Sequence, residues 1–85
     1  MLVKIRIKLY AMLSTYLPAG AVKNEADLPI TEGQDIQSVL NELNLPEKMC
    51  HLVLVNGNYV APSERTGHKL SDGDHLAVWP PVAGG

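Results

Sequence analysis

The N-terminal segment alternates between apolar and basic side chains. The apolar positions are Val3, Ile5, Ile7 and Leu9, and the basic positions between them are Lys4, Arg6 and Lys8. A period of two residues places the two sets on opposite faces of a β-strand. The pattern therefore predicts a first strand with one buried face and one solvated, basic face.

A loop and a second strand are predicted next along the chain. Residues 11–24 contain Pro18 and Gly20, which favour a loop or a short turn of helix. Residues 25–30 are then expected to return as the second strand.

A helix with one apolar face is predicted after Asp35, whose side chain is suited to cap the first turn. The apolar positions share the spacing i, i+3, i+4 and i+7, and they are Ile36, Val39, Leu40 and Leu43. This spacing forms one stripe along a helix, so the helix should lie across a sheet. Pro46 ends it, because proline cannot continue the hydrogen bonding of a helix.

The C-terminal half predicts three further strands joined by two tight turns. A strand at 51–55 runs into Asn-Gly at 56–57, a dipeptide that tolerates positive φ and suits a hairpin. A short strand at 59–60 follows, and the turn sequence Ser-Asp-Gly-Asp at 71–74 precedes the last strand at 75–79. Glu64 and Arg65 are interpreted as loop residues.

This order of elements predicts an α+β domain with a mixed sheet of about five strands and one main helix packed on one face. It is compatible with the ubiquitin-like β-grasp fold, in which the first and last strands lie side by side at the centre. We assign residues 1–79 to this domain and residues 80–85 to an extended C-terminal tail. A chain of 85 residues is long enough for one compact core.

The composition and charge of the chain argue against several classes of protein. The net charge of −2 argues against the broad basic surface of a nucleic-acid-binding protein. The N-terminal alternation does not resemble a signal peptide, and no apolar run is long enough to span a bilayer. The single cysteine, Cys50, is interpreted as a small buried hydrophobe. A cytoplasmic location without membrane association is expected.

No enzyme active site or metal site is predicted within the domain. The three histidines, His51, His68 and His75, lack the spacing of metal ligands. We find no nucleophile with a neighbouring base, and no glycine-rich loop of the phosphate-binding type. No bound cofactor is expected.

The last six residues suggest where the chemistry lies, and they read Pro80, Pro81, Val82, Ala83, Gly84 and Gly85. Proline has no N–H and a fixed φ, so the pair should end the sheet and lead the chain away in extended form. Glycines lack Cβ atoms and can enter a narrow channel. The tail therefore suits presentation of the Gly85 carboxylate to an enzyme. A frayed glycine terminus is the alternative reading of the Gly-Gly pair.

Two segments near the C-terminus resemble a known family. Residues 70–74 read Leu-Ser-Asp-Gly-Asp, and residues 76–85 read Leu-Ala-Val-Trp-Pro-Pro-Val-Ala-Gly-Gly. Both are similar to the closing turn, last strand and tail of the small subunit of molybdopterin synthase and of its relative, the thiamine-biosynthesis sulfur carrier. Weaker similarity extends through residues 10–13, 33–36 and 54–57.

The resemblance implies a function in sulfur transfer. A ubiquitin-activating-type adenylyltransferase would adenylate the Gly85 carboxylate with ATP and Mg²⁺, and a sulfurtransferase would supply the sulfur of a thiocarboxylate. The tail would then enter the large subunit of molybdopterin synthase, which passes sulfur to a pyranopterin precursor. The carrier would supply the acyl group and its partner the catalytic side chains, so it would not be an enzyme on its own.

The resemblance leaves the final acceptor open. The family often has Arg-Glu where this chain has Ser14 and Thr15, whereas the Pro-Pro pair favours the molybdopterin type over the thiamine type. A carrier for tungsten cofactor, thiamine or another sulfur-requiring pathway is an alternative. A ubiquitin-like modifier conjugated through Gly85 is a second, and a non-covalent interaction domain with an inert tail is a third.

A docking face for the partner protein is a further hypothesis. If the first strand is central, its basic row lies on the open face of the sheet beside the last strand. The residues of this predicted docking face are Lys4, Arg6, Lys8 and Trp79. An arginine with an aromatic side chain is a common interface anchor. The alternative is that this row of basic side chains is simply a solvated surface, which is the more usual case.

Overall fold

The computed structural model describes residues 2–81 of the chain. Its strands are β1 (Leu2–Leu9), β2 (Glu25–Thr31), β3 (Leu52–Val55), β4 (Asn58–Tyr59) and β5 (His75–Trp79), and its α-helix is α1 (Ile36–Glu42). The five strands form one sheet in the order β2-β1-β5-β3-β4. The predicted α+β architecture, a mixed sheet with one main helix, is confirmed.

The first and last strands lie side by side at the centre of the sheet, as predicted. Strands β1 and β5 pair in parallel, with Ile7 opposite Leu76 and Leu9 opposite Val78. The other pairs are antiparallel: β1 with β2, β3 with β5, and β3 with β4.

The alternation in β1 divides its side chains as the pattern predicted. Ile5, Ile7 and Leu9 are buried, while Lys4 on the other face is exposed. The buried side chains of β1 join those of β5, β3 and α1 in one apolar core between the helix and the sheet. Burial of apolar surface is the main favourable term in folding, so this layer holds the helix on the sheet.

The helix begins at the predicted cap. The Asp35 carboxylate accepts hydrogen bonds from the backbone N–H groups of Ser38 at 2.8 Å and Gly67 at 3.0 Å. These two hydrogen bonds lower the pKa of the Asp35 carboxyl below its ordinary value. Asp35 therefore caps the helix and also fixes the loop that precedes β5.

Helix α1 ends at Glu42, four residues before the proline at 46 that was predicted to end it. Asn44 takes a positive φ of 64°, and a residue in this conformation commonly ends a helix, so α1 stops before the proline is reached.

The strands also differ from the prediction at their ends, and β2 runs one residue further, to Thr31. Strand β3 begins at Leu52, so His51 lies just outside it, and β4 covers Asn58–Tyr59 where residues 59–60 were predicted. The segment Ala11–Tyr16 forms a 3-10 helix, which agrees with the loop or short turn of helix predicted there. The hairpin turn lies where predicted, with φ of 51° at Asn56 and 85° at Gly57.

Arg65 departs from its interpretation as an ordinary loop residue. Its side chain is only 2% exposed. The guanidinium turns inward because it donates hydrogen bonds to the backbone carbonyls of Cys50 and His51.

We expect Asp35→Ala to lower the free energy of unfolding by about 1 kcal/mol at pH 7, the typical cost of losing a helix cap. The folded-state pKa of this carboxyl is lowered, so its contribution is complete above the ordinary value of 3.8 and is lost as the pH falls through the folded-state value. Urea unfolding of both proteins should show the difference shrinking as the pH is lowered from 7 toward about 2.

Glu32→Ala is the matched control, because the Glu32 side chain is exposed and lies outside the ion pairs found within residues 2–81. Its effect should stay within about 0.5 kcal/mol. Equal losses in the two variants would contradict the capping role of Asp35.

Candidate functional site

The base of the tail is fixed to the domain at the end of β5. The carbonyl of Trp79 accepts a hydrogen bond from the His51 N–H at 3.0 Å. Pro80 is buried and Pro81 is exposed. The chain therefore stays anchored through Pro80 and becomes accessible at Pro81. The remaining residues of the predicted tail, Val82, Ala83, Gly84 and Gly85, lie outside the described residues.

The face of the sheet opposite α1 is open, and the base of the tail lies at one end of it. The strand register places Arg6 beside His75 and Lys8 beside Ala77 on this face. It also places Leu52 beside Trp79. The basic row of β1 and the aromatic side chain of β5 thus occupy the same face of the sheet.

Trp79 is paired with an aromatic side chain that the sequence analysis did not single out. The rings of Tyr10 and Trp79 are stacked, with centroids 4.2 Å apart and planes 5° from parallel. Tyr10 follows β1 directly, and its N–H donates to the carbonyl of Val78 at 3.1 Å. Stacking leaves Trp79 half-buried. Tyr10 and Trp79 each follow one member of the pair Leu9 and Val78, so the two rings could have been placed together once the register of β1 and β5 was known.

The basic row is compensated by acidic residues on β2. Arg6 donates from Nε to Glu25 Oε1 at 3.0 Å and from Nη1 to Asp27 Oδ1 at 2.9 Å. Lys4 Nζ lies 3.9 Å from Asp27 Oδ2. Lys8 has no ion pair within residues 2–81. The face is therefore a mixed-charge network and not a purely basic surface.

These contacts shift the ionisation of both partners. The hydrogen bond from Arg6 lowers the pKa of the Asp27 carboxyl, and the same bond, together with that to Glu25, raises the pKa of Arg6. Both groups are charged at neutral pH. The pairing of Arg6 with Glu25 and Asp27 was not predicted, because the strand pattern does not give the register between β1 and β2.

An apolar patch lies between this network and the far edge of the sheet. Its members are half-buried or exposed, and neighbours within it face one another across adjacent strands. We call it the open-face patch, and its residues are Tyr10, Leu52, Leu54, Tyr59, Ala77 and Trp79. Tyr59 is 58% exposed. Large exposed aromatic and aliphatic groups on one surface are typical of protein interaction sites.

Cys50 does not have the environment of a reactive thiolate. It is buried, and its Sγ lies 3.5 Å from the carbonyl oxygen of Pro46. Burial raises the pKa of the Cys50 thiol, so it is protonated at neutral pH. Cys50 is therefore a buried small side chain, as predicted.

A metal-binding cluster and a membrane-spanning helix are both absent from the described part of the chain. Residues 2–81 contain no group of three or more His, Cys, Asp or Glu side chains that could hold a metal ion. None of the helices in this range has the length and hydrophobicity needed to cross a membrane.

Known structures share this arrangement. A protein from Pyrococcus furiosus described as molybdopterin converting factor, subunit 1, matches with a TM-score of 0.65 and 26% identity over 94% of this chain and 99% of that one. Small archaeal modifier protein 1 from Methanosarcina acetivorans matches with a TM-score of 0.68 and 25% identity, covering 100% of this chain and 99% of that one.

A third structure has the same fold at lower identity. The HVO 2177 protein of Haloferax volcanii matches with a TM-score of 0.76 and 24% identity, covering 99% of this chain and 88% of that one. Among curated proteins, no sequence matches this chain.

The sequence also matches a family model over residues 12–85, a range that includes the last strand and the whole tail. The neighbours by structure are ubiquitin-like β-grasp proteins, a class of small sulfur carriers and modifiers. The fold, the anchored tail base and the family match agree, and the chain belongs to the ThiS family.

Proposed function

We propose that this chain carries sulfur as a thiocarboxylate on Gly85 and donates it in the biosynthesis of a molybdopterin-type molybdenum or tungsten cofactor. The observation that supports this most is the family match, which extends through Gly85. The neighbour described as molybdopterin converting factor, subunit 1, supports the choice of pathway. The Pro-Pro pair at the start of the tail favours the same type.

The proposed chemistry needs only the carboxylate of Gly85 from this chain. A carboxylate is a poor acyl donor, because the leaving oxygen is a strong base. Adenylation by the activating enzyme, with ATP and Mg²⁺, converts that oxygen into part of AMP, which is a good leaving group. A sulfur nucleophile from a sulfurtransferase can then attack the carbonyl carbon as AMP departs.

The geometry of the tail base suits delivery into a partner's active site. Since Pro80 is buried, five residues from Pro81 to the proposed reactive end are available for insertion. An extended segment of five residues spans at most about 17 Å. The partner's reacting group would thus lie within that distance of the domain surface, while the domain stays outside.

We also propose that the open face of the sheet docks the partner while the tail is inserted. The open-face patch ends at Trp79, immediately before the tail, so one partner surface can cover both. Lys4, Arg6 and Lys8 lie beside the patch and complete the docking face. Arg6 and Lys4 are already paired with acids on β2, so their charge should matter less than the aromatic contact.

A ubiquitin-like modifier is the second candidate function. The similarity to small archaeal modifier protein 1 favours it. Both candidates begin with the same adenylated Gly85 and differ in the nucleophile, which is sulfur in one case and a lysine amine in the other. Within the first candidate, thiamine or another sulfur-requiring pathway remains an alternative destination of the sulfur.

Intact-mass spectrometry after incubation with the activating enzyme, ATP, Mg²⁺ and a sulfur donor tests the carrier proposal. Replacement of one terminal oxygen by sulfur should add about 16 Da. Fragmentation must locate the shift at Gly85, because oxidation of Met or Cys50 adds a similar mass. Omitting the sulfur donor while keeping ATP is the control, and it should give no addition of about 16 Da at Gly85.

The same incubation with cell lysate added, which supplies acceptor lysines, separates the two candidates. Covalent adducts with other proteins, and no sulfur at Gly85, would support the modifier and contradict the carrier. An unchanged terminus under these conditions would contradict both.

Affinity for the cognate large subunit tests the docking face. We expect Trp79→Ala or Tyr59→Ala to weaken binding at least about tenfold, or 1.4 kcal/mol, because aromatic anchors dominate interface energetics. Arg6→Ala should weaken it less. Calorimetry should show no change for Val22→Ala, which alters an apolar side chain that is 69% exposed and outside the patch. Unchanged affinity in both aromatic variants would exclude this face.

A further inference from the structure

A cleft of about 620 Å³ opens beside the base of the tail. Pro46 and Pro62 form part of its wall, and Lys48, His51 and Arg65 also line it. His51 connects the cleft to the tail, since its N–H donates to the carbonyl of Trp79 at 3.0 Å. A ligand in this cleft would therefore lie next to the point where the chain leaves the domain.

Arg65 is a buried cation without a carboxylate partner in the described chain. Its side chain is 2% exposed. Nη1 donates to the carbonyl of Cys50 at 2.8 Å, and Nη2 donates to that of His51 at 3.3 Å. No acidic side chain within residues 2–81 lies within ion-pair distance of this guanidinium. Its Nε has no hydrogen-bond partner in this part of the chain.

The hydrogen bonds described for Arg65 use only part of its donor capacity. A guanidinium has five N–H groups, and two carbonyl acceptors satisfy only part of that capacity. A buried charge normally has a counter-ion, because taking a charge out of water is unfavourable. Carbonyl dipoles offset some of this cost, but the Nε hydrogen remains without an acceptor.

The other ionisable groups of the cleft leave it with a net positive charge. Lys48 and Arg65 are cations, and Glu47 is the one carboxylate among the residues that line it. The Cys50 thiol does not act as a counter-ion, because burial raises its pKa and keeps it protonated. One negative charge therefore faces two positive charges.

We propose that this cleft binds an oxyanion, a carboxylate or a phosphate, between Arg65 and Lys48 at the base of the tail. The free donors of a guanidinium suit a planar carboxylate or a phosphate oxygen. Such an anion can come from free phosphate or from an acidic side chain of the protein that receives the tail. The site itself does not depend on what happens at Gly85.

NMR detects binding at the atoms concerned. The ¹⁵N signals to follow are Arg65 Nε and the backbone amides of Cys50 and His51, during titration of the full chain with sodium phosphate or sodium acetate. Sodium chloride at equal ionic strength is the reference. We expect saturable shifts with the oxyanions that chloride does not reproduce, and loss of the amide shifts in Arg65→Met.

Lysine variants provide a test that keeps Arg65 in place. Lys48→Gln should weaken the oxyanion about two- to fivefold, the range expected for one exposed charge. Lys23→Gln is the matched control: it removes an exposed lysine that lies outside both the cleft and the docking face, and it should leave the affinity unchanged. If Arg65→Met does not fold, the comparison of these two variants decides.

The outcomes separate the sources and can overturn the proposal. Tighter binding of acetate would identify the cleft as a carboxylate site, and tighter binding of phosphate would identify it as a phosphate site. Shifts that match chloride, shifts that persist in Arg65→Met, or an affinity that Lys48→Gln does not change would show that Arg65 serves only to bind two backbone carbonyls.

Discussion

The parallel pairing of β1 with β5 is the contact on which the rest of this structure depends. It joins the two ends of the described chain at the centre of the sheet. It places the apolar side chains of both strands in the core beneath α1. The same register brings Tyr10 onto Trp79, while the antiparallel pairing of β5 with β3 positions the base of the tail next to His51. The centre of the core and the aromatic pair at the base of the tail thus both depend on the β1–β5 pairing.

Local features of the sequence predicted most of the fold. The alternation in β1, the stripe of α1, the Asp35 cap and the Asn56-Gly57 turn each act over a few residues, so they can be recognised without knowing the tertiary structure. Strand ends were less predictable. His51 directly precedes a run of β-branched and aliphatic residues and was therefore included in the predicted strand. Pairing across the sheet decides where β3 begins.

The site was less predictable because its contacts join distant parts of the chain. Glu25 and Asp27 compensate Arg6 from the neighbouring strand, and this becomes visible only once the register is known. Arg65 was interpreted as a loop residue, because nothing near it in the sequence indicates that the carbonyls of Cys50 and His51 lie within reach of its side chain. The hydrogen-bond partners of a buried polar group are often distant in the sequence, and the hydrophobic periodicity carries no information about them.

The anchoring of Trp79 and Pro80 has a mechanical consequence for a carrier whose tail is gripped by another protein. Tension on the tail acts along β5, in line with its parallel neighbour β1 and its antiparallel neighbour β3. The hydrogen bonds to β1 and β3 are then loaded together in shear, and they must fail collectively instead of opening one after another from an end. Withdrawal from a tight channel is therefore compatible with an intact domain.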